Sequence, residues 1–272
     1  MRFFVHGIFL FDTVFTSYSA LGSLPPTILR PTGVMKFLPW SFFDALQTQR
    51  GMLTLKTLML ISLVLSTAGF LTVISTKTSL LLVLFYQGLL RSFGHFNHDE
   101  MIAIYFLVVL AFSPCGDAFS IDSRLGKANP QRPAFAYAYP ILLMQLLLAW
   151  AYFSSALIKL RVAGWKYLSA DNLPALAIFH SLDNLHDTAF RGAFWLPQVR
   201  GYLPYAVAFI LTWELLFPLA VFFRRVRWLI LGIGFVFHIL TVPLMNIGFP
   251  HQLLMYVVFV DWDRRKFFKS RT

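Results

Sequence analysis

Four ionisable residues stand in or beside long apolar stretches: His98, Lys159, Glu214 and His238. Each could do proton chemistry. Lys159 closes the uncharged run 133–158. A desolvated lysine favours its neutral amine, which can act as a base. The competing reading is snorkelling, in which a lysine at a helix end reaches the headgroups, and position alone favours it. His98 sits in Phe96-Asn97-His98-Asp99-Glu100. It is either a group that exchanges protons near neutral pH or part of a solvated helix start. Asn97 reads as that helix's cap, with Asp99 and Glu100 favoured by its dipole. Glu214 lies deep in the apolar segment 201–223 and needs a partner there, with His238 and Lys159 as candidates. A buried, hydrogen-bonded Glu or His that tightens a bundle is the default for both Glu214 and His238.

Other polar groups have plainer roles. Asp117 and Asp122, beside Arg124 and Lys127, read as turn hydrogen bonding and ion pairing. Ser154, Ser155 and Ala156 are small enough for close helix packing. His180, Asp183, His186 and Asp187 are of types that suit zinc or iron. Only three of them share a helical face, with His186 off it, and such matches arise easily; no metal is assigned. Cys115 is the only cysteine, so no internal disulfide forms.

The elements that must hold these residues are set by composition. Of 272 residues, 58% are hydrophobic and 13% charged, with 30 Phe. Soluble domains carry about 25% charged residues. An ordinary cytosolic enzyme, a disordered chain and a fibrous protein are excluded, and lipid is the solvent for much of the surface. A spanning helix needs about 20 mostly apolar residues. Candidate segments are 3–20, 57–75, 78–92, 100–116, 133–158, 201–223, 226–247 and 249–262. Gly248-Phe249-Pro250 divides the last two. The expected fold is therefore all-α: a polytopic membrane helix bundle of about eight spans (range six to nine). One domain covers 1–264 with a polar insertion at 162–200 that includes a short interfacial helix, and 265–272 is a basic tail. No internal repeat is visible.

Residues 3–20 have the general shape of a signal peptide, but Asp12 interrupts the apolar run, so a retained first helix is preferred. Alternating spans place 13 Lys/Arg on the side of the termini and 10 on the other. Arg224, Arg225 and Arg227 in a tight loop share a side with Arg264, Arg265, Lys266, Lys269 and Arg271. Both termini are expected to be cytoplasmic in the cell (inner) membrane. The net charge of +11 reads as topology and contact with the lipid bilayer rather than nucleic acid.

In this order, the segments resemble the HTTM domain of the vitamin K-dependent γ-carboxylase-like family. The resemblance runs from Arg2 to about Arg264. It is carried by Asn97-His98, Ser120-Ile121-Asp122, and Tyr152-Phe153 to Lys159-Leu160 with Trp165. It continues through Glu214-Leu215-Leu216-Phe217-Pro218, Phe237-His238 and Gly248-Phe249-Pro250. The resemblance implies that Lys159 is the base that deprotonates a reduced, vitamin K-like quinone. That quinone reacts with O2 to give a strong base that removes the γ-proton of a substrate glutamate, to which CO2 adds. It implicates His98 and His238 at the same site; Glu214, Asp122 and Asn97 are expected to support them. The expected topology puts His98 and Lys159 on the same, non-cytoplasmic face, which lifts Lys159 above the snorkelling reading. Two departures count against the full activity. Ile158 stands where the γ-carboxylases have a second lysine, and the sequence stops at Thr272, without their large region that engages a propeptide. Fold therefore carries over better than activity.

Three functions are compatible with this reading. The first is a quinone-using membrane enzyme that carboxylates or oxidises a secreted peptide or protein. The second is a non-catalytic partner in the maturation or export of a secreted protein, similar to the membrane protein of the sporulation-delaying system. The third is a small-molecule transporter, for which the hydropathy shows no paired broken helices in two halves.

Overall fold

The computed structural model describes residues 1–94, 99–129, 131–183 and 192–261. Among them the regular structure is entirely helical, as the composition requires of a chain that must satisfy its own backbone in lipid. The chain divides into two compact units, Met1–Met144 and Gln145–Thr272. In the first lie α1 (Arg2–Phe15), α2 (Tyr18–Gly22), α3 (Trp40–Leu46), α4 (Gln49–Ala68), α5 (Thr72–Ser92), α6 (Glu100–Ala111) and α7 (Ile121–Arg124). The division falls within α8 (Phe135–Ala163). The second unit continues with α9 (Asn172–Asp183), α10 (Leu203–Leu216), α11 (Leu219–Phe222), α12 (Arg224–Met245) and α13 (Pro250–Met255).

Four of these helices are long and apolar enough to cross a membrane: α4, α5, α8 with its 3-10 extension to Leu168, and α12. Their flanks expose large apolar side chains, among them Ile61, Leu81, Trp150 and Val236, an arrangement that suits lipid. The expected count of about eight is not reproduced. The other four apolar segments are helical but short. The longest of them, α1 and α10, have 14 residues each, about 21 Å at 1.5 Å per residue against a hydrocarbon core of about 30 Å. Backbone chemistry accounts for two of the shortfalls. Pro218 separates α10 from α11, and Pro250 starts α13 only six residues before the chain tightens into a 3-10 turn at Tyr256–Phe259. The insertion at 162–200 does contain a helix, α9.

In the first unit, α1 packs on α4, α4 on α5 and α5 on α6, around Val5, Met52, Leu63, Phe106 and Leu107. Thr48 caps α4 by accepting the Gly51 N–H at 3.0 Å. Gly69 ends the helix at φ +73°, and a Cβ there would overlap Ser120 and the Arg2 guanidinium. Arg2 is buried. It donates to the carbonyls of Ser66, Thr67, Cys115 and Phe119, so one side chain satisfies the open end of α4 and pins the loop after α6 to it. In the second unit, Arg227 plays a similar part. Its Nε donates to the Ala220 carbonyl at 2.8 Å, closing the turn between α11 and α12.

Candidate functional site

Lys159 and Glu214 meet in the second unit. On α8, Ser155 and Lys159 stand one helical turn apart, so they share a face. Glu214 projects from the last turn of α10, buried among apolar side chains. Lys159 Nζ donates to both carboxylate oxygens of Glu214, at 2.6 Å to Oε1 and 2.8 Å to Oε2. The Ser155 hydroxyl adds a longer bond to Oε1, at 3.4 Å. The Glu214 side chain is 4% exposed and that of Lys159 26%. Lys159 thus faces inward, into an ion pair, and keeps one side reachable from outside the bundle. Tyr167 lies with its ring centroid 5.9 Å from Nζ, giving the cation an aromatic wall. Ala156, Val207 and Leu211 form the apolar floor, packed by Leu160 and Leu215.

His238 is not the partner of Glu214. It is buried on α12, and its Nε2 lies 2.6 Å from the hydroxyl of Tyr152. That hydroxyl also shares a hydrogen bond with the Tyr256 hydroxyl at 2.8 Å. Tyr152 stacks on Phe217, with ring centroids 4.2 Å apart, and meets Trp213 edge-on. Phe249 flanks His238 at 5.0 Å. Nδ1 of His238 is buried without a hydrogen-bond partner among the described residues. Gly234, one turn before His238, makes this approach feasible, because a Cβ there would overlap the Tyr256 hydroxyl and Trp213.

Asp122 belongs to the first unit and is spent there. Its Oδ2 accepts the N–H of Thr72 at 2.6 Å and the Thr72 hydroxyl at 2.7 Å, and Oδ1 accepts the N–H of Leu71 at 3.1 Å. Lys127 Nζ lies 3.6 Å from Oδ1. The carboxylate therefore caps α5 from a distant segment. Burial works to raise the Asp122 carboxyl, but the Thr72 and Leu71 donors and Lys127 outweigh it and hold it below the ordinary aspartate range.

His98 and Asn97 lie outside the described residues, as do His186, Asp187 and the Asp183 side chain. His180 is on α9, its ring edge-on to Phe179. No metal-holding group of His, Cys, Asp or Glu occurs among the described residues.

Three site residues carry no strong signal in the sequence: Ser155, Tyr167 and Tyr256. Spacing could have found the first, since Tyr152, Ser155 and Lys159 fall at i, i+3 and i+7 of one helix. Tyr256 is one of 10 tyrosines in an aromatic-rich chain, and nothing local distinguishes it. Comparison with protein-family models, curated proteins and solved structures finds no match.

Proposed function

We propose that the chain is an integral membrane enzyme of the HTTM type, with about eight membrane segments, that uses a reduced quinone and Lys159 as its base. The observation that carries this reading is the Lys159–Glu214 pair, a lysine held by both oxygens of a buried glutamate while one side stays accessible. An ionisable pair among apolar helices is costly, and one that stays partly accessible is a candidate for function.

A reduced quinone has a flat apolar ring and weakly acidic hydroxyls. The residues present fit it: a reachable ammonium, the Tyr167 ring beside it and the exposed Trp165 in the same turn. When bound, it would supply an acidic hydroxyl and the reducing equivalents for O2. The chain's own part is proton handling. Transfer of a proton from Nζ to Oε1 along the 2.6 Å bond leaves a neutral amine, with Glu214 as the proton store. Ser155 steadies the carboxylate. Tyr152 continues the same face of α8 and forms a second hydrogen-bonded pair with His238 of α12. His98 and Asn97 enter on the resemblance alone. The substrate is a carboxylate or oxidisable side chain on a secreted peptide or protein.

The proposed orientation puts both termini on the cytoplasmic side of the cell (inner) membrane. Arg2 supports the alternation for the first segments, because it joins the N-terminus to the end of α4 and to the loop after α6 at one end of the unit.

The test uses the purified full chain in nanodiscs with vitamin K hydroquinone, following O2 uptake. Uptake above quinol autoxidation in wild type, lost in a folded Lys159→Ala variant, is the expected result. Uptake equal in both proteins removes Lys159 as the base. No uptake in wild type, together with full rescue of a deletion strain by Lys159→Ala, replaces the enzyme with the non-catalytic maturation partner.

A further inference from the structure

The first unit contains a cavity of about 470 Å³ that the quinone chemistry does not use. It opens where α5 begins and α6 ends, and its lining includes Lys77, Lys127 and Arg132. We propose that it binds the phosphodiester headgroup of an anionic phospholipid.

The charge of the lining favours an anion. Three cations line the cavity against two carboxylates, Asp117 and Asp122, and both carboxylates are engaged. Asp122 accepts from Leu71 and Thr72. Asp117 accepts from Arg132 Nε at 2.8 Å and from the Tyr137 hydroxyl at 2.7 Å. The cations are only partly committed. Arg132 uses Nε alone, Lys127 is half exposed at 3.6 Å from its partner, and Lys77 has no carboxylate in ion-pair range among the described residues. Lys77 instead sits 5.9 Å from the Phe112 ring.

The rim is apolar. Val73, Ile74 and Phe112 line the cavity and are 70%, 64% and 77% exposed. Phe119 before α7 and Leu125 after it are exposed as well. A soluble anion has no use for an apolar rim, whereas a lipid places its headgroup among the cations and its chains against that rim. The cavity lies at the N-terminal end of α5, a helix long enough to cross the membrane, and helix ends are where headgroups lie. Basic pockets between membrane helices bind anionic headgroups in this way, and the volume is ordinary for a ligand site.

Lys77 is the clean probe, because it is exposed and its removal breaks no ion pair among the described residues. The full-length protein is placed in phosphatidylcholine nanodiscs with and without phosphatidylglycerol, and bound lipid is counted by native mass spectrometry. A parallel arm adds inorganic phosphate to phosphatidylcholine nanodiscs and reads thermal stability. Wild type should retain phosphatidylglycerol, and Lys77→Gln should bind it about fivefold more weakly, the loss expected for one lysine at an anionic surface. Lys36→Gln, an exposed lysine outside the cavity, should bind as wild type does. Equal binding by wild type and Lys77→Gln, or equal loss in Lys36→Gln, overturns the site. Stabilisation by inorganic phosphate with phosphatidylglycerol inert overturns the lipid as occupant. None of these outcomes touches Lys159, so this proposal and the quinone reading fail separately.

Discussion

Lys159 and Glu214, 55 positions apart, form a two-pronged ion pair at 2.6 and 2.8 Å in which the carboxylate is almost wholly buried. Such a pair is poor evidence for stability, because desolvating two charges offsets most of their attraction. Breaking it is a different matter, since the remaining charge is stranded. Glu214→Leu should therefore destabilise the protein by about 3 kcal/mol, the lower end of the range for a buried pair because Lys159 keeps some exposure. The double variant Lys159→Met/Glu214→Leu should recover most of that loss. Thermal unfolding in detergent checks both. A Glu214→Leu protein as stable as wild type would mean that the pair does not form.

The pair also marks how far the sequence could be read. An acid in an otherwise uncharged segment must find a partner, and Lys159, at the end of an uncharged run, was one of two candidates for it. The choice between Lys159 and His238 was not legible, because it depends on the rotation of α8, α10 and α12 about their axes, and hydropathy is silent on that. The eight apolar segments were visible as apolar runs and all became helices, but their lengths were not. Helix length depends on where Pro218 and Pro250 interrupt the backbone and on where a 3-10 turn tightens it. The burial of Arg2 against four carbonyls carries no signal in the sequence, because it depends on the close approach allowed by Gly69.

Tyr152 holds His238 and Tyr256 through one hydroxyl. Tyr152→Phe keeps the stacking on Phe217 but leaves a buried imidazole nitrogen without a partner. The expected cost is about 1–3 kcal/mol, the desolvation of an unsatisfied buried group. His238→Phe in the same background removes the orphan and should restore part of the loss. A double-mutant cycle on unfolding midpoints measures the coupling, and strict additivity of the two substitutions would show that the bond contributes nothing.

Asp122 gives the first unit a pH dependence of definite sign. Its carboxyl titrates below the ordinary aspartate value when folded, so the unfolded chain binds the proton more readily. The stabilisation is fully present above the unfolded value of about 3.9 and is lost as pH falls through the lower, folded value. Asp122→Asn should be less stable than wild type at pH 7 by about 1 kcal/mol, as for the loss of a helix cap. Asparagine keeps an acceptor but gives up the charge that faces the α5 N-terminus and Lys127. The gap between the two proteins should stay constant from pH 7 to about pH 5 and close in stronger acid, as the wild-type carboxyl takes up its proton. Unfolding midpoints of both proteins across that range decide it. A gap that persists unchanged to the lowest pH at which wild type folds would show that the Asp122 charge plays no part in holding α5.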